Sequence, residues 1–140
     1  MGEMAMIDIT PFEQYQNDLL RTIERLDNIF IEAIYEIAAR ELRLAKKDTP
    51  VGKYPPRSGK VGGTLRRGWH ISEIQRTEGG YQIEVFNNVE YAPYLEFGHR
   101  TRDGRKWKQG YFMLTIAENK VRSVMDKIIE RKIQEVFRNL

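Results

Sequence analysis

The chain has no cysteine, and its 140 residues include only two histidines. Without cysteine it can form no disulfide, no thiolate metal site and no cysteine nucleophile. No apolar run approaches the roughly 20 residues that a membrane span needs, and the N-terminus shows no basic stretch followed by an apolar run, as a secretory signal would. These absences favour a soluble protein of the cytoplasm that does not contact a membrane.

The length fits one domain of ordinary size, long enough to bury a core without disulfides or metal. We therefore expect a single domain over residues 1–140. Stretches rich in glycine, proline and cations predict two long basic loops within it, at about residues 48–68 and 99–110.

Charge is distributed unevenly, although the net charge is only +3. Residues 1–39 carry eight acidic and two basic side chains, whereas residues 40–70 carry nine basic and two acidic ones. Residues 99–108 add five basic side chains against one acidic one. An acidic element followed by two basic segments predicts either a polyanion nearby or a subunit contact in which acidic meets basic. Solvated loops without a partner are the alternative.

Apolar periodicity predicts a long first helix over residues 11–47. Apolar residues recur at steps of three and four from Phe12 to Ala38. Thr10 at the predicted N-cap and Glu13 have the spacing of a capping box. The helix would be roughly 55 Å long, whereas a compact domain of this size is only about 37 Å across. We therefore expect the helix either to kink or to pack part of its apolar face on another subunit, and we favour the second.

The remaining segments predict an α+β fold, in which a small antiparallel sheet built on a hairpin is followed by a short helix and a long C-terminal helix. We expect the two long helices to cover one sheet face. A helical turn is predicted near residues 63–67, and the Asp103-Gly104 pair indicates a β-arm in the second basic loop. The other predicted elements are strands at 69–76 and 81–86 joined by a turn at 77–80, a short helix at 91–98 and a final helix at 112–140.

No constellation of residues predicts catalysis, so we expect a protein that is not an enzyme and that needs no cofactor. The Gly59-Lys60 pair is followed by Val61 rather than by Ser or Thr, and no strand precedes it, which excludes a P-loop. Glu96, His99 and Asp103 could supply three metal ligands, but they lack the spacing of known zinc motifs, and we expect no metal.

Nucleic-acid binding is the main alternative function. The cations of the two loops could follow a phosphate track, with Trp69 and Trp107 as stacking groups. No helix-turn-helix, RNA-recognition or zinc-finger motif accompanies them, so such binding would be non-specific. The residues assigned to contact a partner or DNA are Arg57, Lys60, Arg67, Arg100, Arg102, Arg105, Lys106 and Lys108.

Two segments resemble motifs of a known family. Thr49-Pro50-Val51, followed by Gly63-Thr64-Leu65-Arg66-Arg67, resembles a "TPV…TG-x-LR-x-S" motif, and Tyr91-Ala92 with Glu96-Phe97-Gly98 resembles "YA-x-x-x-E-x-G". Both motifs are typical of the tail-completion, or head–tail joining (neck), proteins of long-tailed bacteriophages and prophages. The resemblance covers about residues 40–125. It departs from the first motif by an insertion of about ten residues and by Gly68 in place of the common Ser.

The resemblance implies a virion structural protein of the neck or tail, made in the host cytoplasm. It implies a ring of copies of this chain, sixfold or twelvefold, around the channel that DNA traverses, in contact with other neck and tail proteins. The motif residues would then be structural: Gly98 would end a helix, Tyr91 and Tyr94 would pack that helix on the sheet, and Glu96 would hold an arginine or a backbone amide. The full set assigned such roles is Thr49, Pro50, Val51, Gly63, Leu65, Arg66, Tyr91, Ala92, Glu96, Phe97 and Gly98.

Overall fold

A computed structural model describes residues 6–138, and two long helices dominate it. The elements in chain order are α1 (Thr10–Asp48), a 3-10 turn (Pro56–Ser58), α2 (Thr64–Arg67), β1 (Trp69–Ile71), β2 (Gln75–Thr77), β3 (Gly80–Gln82), β4 (Val85–Asn87), α3 (Ala92–Phe97), β5 (Gly98–Arg100), β6 (Trp107–Gln109) and α4 (Met113–Arg138). The predicted α+β class is confirmed. The expected end of the last helix at residue 140 lies outside the described residues.

The start of α1 differs from the predicted capping box. Thr10 is the first helical residue rather than the N-cap, and its backbone N–H donates to Oδ1 of Asp8 at 2.9 Å. Hydrogen bonding to Thr10, through its side chain first and then through this backbone amide, lowers the pKa of Asp8. The backbone carbonyl of Ile9 accepts from the amides of Phe12 and Glu13, so no side chain caps these two donors. The N-cap residue is therefore Ile9, and Asp8 contributes a bond to the first helical amide, that of Thr10.

α4 runs antiparallel to α1 and covers only its C-terminal part. Lys120, near the start of α4, lies 3.9 Å from Asp48 at the end of α1. Glu36, further back on α1, pairs with Arg131 at 2.8 Å and with Lys132 at 3.3 Å, near the end of α4. None of the helices described between residues 6 and 138 is apolar over enough of its length to cross a bilayer.

Small residues let the elements of the core approach one another closely. The buried residues of α1 are the three alanines Ala33, Ala38 and Ala45. Ala45 belongs to the main core cluster, whose other buried members are Leu65, Trp69, Ala92, Met113 and Ala117. This cluster joins the C-terminal end of α1 to α2, β1, α3 and the start of α4, and therefore fixes the positions of the two basic loops that leave it.

The predicted hairpin is present, but its strands are short. β1 pairs antiparallel with β4 and β2 with β3, and the chain turns at Glu78-Gly79. Between the two ladders the amide of Ser72 donates to the carbonyl oxygen of Glu84 at 2.8 Å, but the amide of Glu84 donates to the side chain of Ser72 at 2.8 Å instead of to its carbonyl, so the regular ladder is broken there. The root of the hairpin packs against α1, whereas α4 packs on α1 and α3. The expectation that both long helices cover one sheet face therefore needs correction, because a two-stranded sheet is too narrow for two helices.

Candidate assembly surfaces

The N-terminal part of α1 projects beyond the rest of the described chain. Val136, near the end of α4, lies beside Arg25 and Ile29, and the tip of the hairpin reaches Asp27 through Arg76, whose guanidinium lies 2.7 Å from the carboxylate. Every side chain from residue 6 to residue 21 is exposed. We call residues 10–24 the projecting segment; they span roughly 22 Å of helix.

One face of the projecting segment is apolar and uncovered. Phe12, Tyr15, Leu19 and Ile23 are each between 61% and 69% exposed. Their spacing of three and four residues puts them on one face of the helix, in line with residues further along that the rest of the protein buries. α1 is one uninterrupted helix from Thr10 to Asp48, and the packing of its apolar face on another subunit stays a prediction.

The first basic loop is tied down at its root. The indole Nε1 of Trp69 donates to Oγ1 of Thr49 at 2.7 Å, and the guanidinium of Arg66 donates to the carbonyl oxygen of Thr49 at 3.2 Å. Thr49 and Trp69 are both buried. Residues 51–61 between these anchors are all exposed. The first motif thus closes the base of a loop whose outer part faces solvent.

Glu96 connects the second motif to α4. Its carboxylate accepts hydrogen bonds from the backbone amides of Leu114 at 3.0 Å and Thr115 at 2.9 Å, and from the Thr115 hydroxyl at 2.8 Å. These amides belong to the first turn of α4, where backbone N–H groups have no acceptor within their own helix. Glu96 is 6% exposed, and its negative charge lies at the positive end of the helix dipole. It holds backbone amides and not an arginine.

Two glycines allow the second basic loop to leave this region as a β-arm. Gly98 has φ +90°, and a Cβ built on it would lie 2.5 Å from the carbonyl oxygen of Lys108. A Cβ on Gly110 would collide with the backbone oxygen of Glu96. Glycine at both positions therefore permits β5 and β6 to pair directly after α3. A side chain at either position would separate the strands.

The tip of the β-arm is held by its own polar side chains. Oγ1 of Thr101 donates to Oδ1 of Asp103 at 2.5 Å, and the backbone amide of Arg105 donates to the same oxygen at 3.1 Å. These bonds, with that from Thr101 first, lower the pKa of Asp103. The predicted arm is present, and the Asp103-Gly104 pair lies in the connection between its strands, where the amide of Gly104 donates to the carbonyl oxygen of Thr101 at 2.8 Å. Arg100, Arg102, Arg105 and Lys106 make no side-chain hydrogen bond or ion pair with any described residue.

The two basic loops meet in one cleft. Residues of both motifs line it, together with Lys108 of the β-arm and the exposed side chain of Val61. A second cavity beside it shares Tyr91 and Leu95 and adds Tyr94, His99 and Arg102. We call this surface the loop face, and its large apolar and aromatic side chains, each at least 42% exposed, are Val51, Tyr54, Val61, Tyr91, Tyr94 and Tyr111.

The residues assigned from the sequence fall into two groups. Buried or tied to the backbone are Thr49, Leu65, Arg66, Ala92, Glu96 and Gly98, with Gly63 at φ +90° in front of α2 and Arg67 bound to the carbonyl oxygen of Gly62. Exposed or lining the loop face are Pro50, Val51, Tyr91 and Phe97, with the cations Arg57, Lys60, Arg100, Arg102, Arg105, Lys106 and Lys108. Arg67, assigned to a partner, thus binds its own loop.

Two further assignments made from the sequence need correction. Tyr91 and Tyr94 do not pack α3 on the sheet, because they are 46% and 61% exposed and line the loop face. Trp69 is 4% exposed and cannot stack on a base, whereas Trp107 is exposed. Within residues 6–138 no three potential ligands lie close enough to share a metal ion. The carboxylate of Glu96 is already occupied by α4.

Sequence reasoning missed Tyr54 and Tyr111 as members of the loop face and Thr115 as the partner of Glu96. Nothing in the order of residues marked these positions, because a tyrosine beside a proline or glycine is equally compatible with a core position. Their exposure becomes visible only when the loops are folded back on α3.

An apolar groove lies next to the loop face. Trp69, Val85, Phe86, Phe97 and Leu114 contribute to its lining. Its only charged lining residues are Glu96 and Glu118, so it differs in electrostatic character from the basic loop face.

The comparison with protein families agrees with the motifs. The family model described as "Bacteriophage HK97-gp10, putative tail-component" matches residues 14–98. The match covers more than half of the chain and includes both motifs, and the chain belongs to this family of phage tail components. A tail component is part of the virion. No curated protein matches the chain, and no solved structure does.

Proposed function

We propose that this tail component is a tail-completion, or neck, protein that joins the phage head to the tail and does so without catalysing a reaction. On this proposal its 140 residues act as one domain, assemble in the host cytoplasm and close into a ring around the DNA channel, sixfold or twelvefold. The family membership supports a structural role in the tail. The ring and its place at the head–tail joint are our proposal.

The uncovered apolar face of the projecting segment carries this proposal. The helix extends beyond its own subunit and exposes four large apolar side chains along one face. Burying these side chains against another protein surface would be favourable, which is why a partner for this face is expected. A subunit that offers such a helix on one side and an aromatic, basic surface on another has two different faces to pair. Contacts between different faces produce a ring when the rotation between neighbours closes.

Deletion of the gene tests the joining role. The phage or prophage that encodes the chain is induced without the gene, and the lysate is examined by negative-stain electron microscopy. If the protein joins head to tail, the lysate should contain separate DNA-filled heads and finished tails. A copy of the gene on a plasmid should then restore joined particles. Intact particles without the gene, or the absence of finished tails, would contradict the proposal.

A second candidate is non-specific binding of nucleic acid. Four cations of the β-arm whose side chains pair with no residue among 6–138, together with the exposed Trp107, favour it, since cations with an aromatic group suit a phosphate backbone and its bases. Fluorescence polarisation with a labelled DNA duplex tests it. Binding that weakens steeply as salt rises supports this candidate, and no binding at low salt removes it.

A further inference from the structure

The projecting segment carries acidic as well as apolar side chains. Glu13, Asp18 and Glu24 lie within it and Asp8 lies just before it, against Arg21 as the only cation of the segment. Asp18 pairs with Arg21 at 3.2 Å in a fully solvated contact, while Glu13 and Glu24 make no ion pair with any described residue. The segment is therefore an apolar stripe with acidic flanks, and its partner must be apolar at the centre and basic at the rim.

The loop face has this complementary character. It exposes four tyrosines, and aromatic residues are enriched in protein interfaces. Lys60 lies beside them, with its Nζ 5.7 Å from the centre of the Tyr54 ring, and Arg102 and Lys108 line the same surface. The charged residues that line the neighbouring apolar groove, Glu96 and Glu118, are both acidic, so that groove lacks the positive charge that the segment's partner must supply.

The two surfaces cannot meet within one chain. The loop face begins directly after the C-terminal end of α1, while the projecting segment ends at Glu24. About 36 Å of unbroken helix separates Glu24 from Asp48, with no glycine or proline at which the chain could fold back. The contact must therefore be made between two molecules. Pairing of two projecting segments with each other is disfavoured, because it brings acidic flanks together.

We infer that the projecting segment of one subunit binds the loop face of a second copy of this chain, with Phe12, Tyr15, Leu19 and Ile23 against the tyrosines. This inference rests on the proposed ring, since it names the two faces that would form each of the ring's contacts. The contact is head-to-tail: every subunit gives its segment to one neighbour and receives the segment of the other.

Site-directed disulfide cross-linking tests the contact directly, because the natural chain has no cysteine. Full-length Leu19→Cys protein is mixed with full-length Tyr94→Cys protein under mild oxidation. Both side chains are exposed, so the substitutions should leave the fold intact, which circular dichroism and thermal unfolding check. We expect covalent dimers in several-fold higher yield than from Leu19→Cys mixed with Asp126→Cys, an exposed position on α4. Equal yields in the two mixtures would overturn the inference.

Charge reversal is a second, independent measurement. We expect Glu13→Lys with Asp18→Lys, introduced into the Leu19→Cys chain, to reduce the cross-linked yield at least twofold. Lys60→Glu with Lys108→Glu in the Tyr94→Cys chain should restore it, because the signs are then opposite again. A cross-linked yield that stays the same after both charge reversals would contradict electrostatic pairing of these two surfaces.

The outcomes separate this inference from the proposed function. Cross-linking of the two positions, together with joined particles after gene deletion, would leave the subunit contact standing and remove the joining role. Separate heads and tails after gene deletion, without cross-linking of the two positions, would support the joining role and overturn the subunit contact. Binding of duplex DNA by the loop-face cations without cross-linking would assign the loop face to nucleic acid and overturn the inference.

Discussion

The indole of Trp69 and the hydroxyl of Thr49 form a buried hydrogen bond of 2.7 Å across the base of the first basic loop. The same hydroxyl donates to the carbonyl oxygen of Ala45 at 2.5 Å, so the bond continues into the last turn of α1. The two partners are 20 positions apart in the chain, and most of the residues between them are exposed. The first basic loop, rich in glycine and proline, is therefore anchored in the core at both ends.

Replacement of Thr49 by valine tests this anchor. Valine has a similar shape but leaves the buried Trp69 N–H without an acceptor, and we expect Thr49→Val to lower the free energy of unfolding by about 1–3 kcal/mol. Urea unfolding followed by tryptophan fluorescence measures the change. Thr49→Ser keeps the hydroxyl and is the matched control. Equal stability of Thr49→Val and the natural protein would contradict the anchor.

Glu96 gives a second prediction, at the start of α4. Glu96→Gln keeps the size of the side chain but replaces one of its oxygens by a donor that faces backbone amides, and it removes the charge at the helix N-terminus. We expect a loss of about 1–3 kcal/mol in chemical unfolding. Glu90→Gln, an exposed change nearby, should stay within about 0.5 kcal/mol. Similar values for both variants would show that Glu96 does not hold α4.

We expect neutralisation of two glutamates on α1, Glu36 and Glu41, to have opposite effects on stability at pH 7. Hydrogen bonding to Arg131 lowers the pKa of Glu36, so its charge stabilises the fold above the ordinary pKa near 4.5, and this contribution disappears as the pH falls through the lowered value. Burial, with Glu118 nearby, raises the pKa of Glu41, so stability present below the ordinary value is lost as the pH rises through the raised one.

Thermal unfolding of Glu36→Gln and Glu41→Gln at a series of pH values measures both effects. We expect Glu36→Gln to lower Tm at pH 7 by the equivalent of up to about 1 kcal/mol, since the ion pair is partly exposed. Glu41→Gln should raise Tm at pH 7. The Glu41→Gln difference should disappear as the pH falls through the raised pKa toward 4.5, the ordinary value of the group. The Glu36→Gln difference should shrink only as the pH falls below 4.5 through the lowered pKa. A pH-independent difference would contradict these assignments.

The cations at the tip of the β-arm should matter for joining and not for folding. Because Arg100, Arg102, Arg105 and Lys106 bind no described side chain or backbone group through their own side chains, their joint replacement by glutamine should leave Tm nearly unchanged. We expect it to reduce the number of joined particles in complementation of the deletion. The control replaces four exposed helix cations by glutamine, namely Arg43, Lys47, Lys127 and Arg138. Equal joining by both variants would exclude a role specific to the arm.

The long helices could be predicted from the sequence because their apolar periodicity extends over many turns. The predicted and observed starts and ends of α1 differ by one residue. The predicted cap was wrong because the helix begins one residue earlier, at Thr10, so that Ile9 becomes the N-cap and the amides of Phe12 and Glu13 bond to its carbonyl oxygen. The strands were predicted too long, since Ser72 supplies a side-chain hydrogen bond in place of a ladder bond.

The candidate surfaces were less accessible to sequence reasoning. The basic loops and both motifs could be found, but the sequence does not say that Trp69 turns inward to Thr49 while Tyr91 and Tyr94 turn outward. Residue type alone would place all three in the core. The partner of Glu96 lies 18 and 19 residues further along, at a separation that depends on how the β-arm folds. The uncovered face of α1 was expected from helix length alone.

In vitro complementation tests the central claim most directly. Heads and tails that accumulate in a lysate without the gene are mixed with the purified full-length protein, and joined particles are counted by electron microscopy and by infectivity. A head–tail joining protein predicts that joined, infectious particles appear only when the protein is added, and that Leu19→Asp protein, which places a charge in the apolar stripe, is much less effective. Heads and tails that remain separate with the natural protein, or that join without it, would contradict the account.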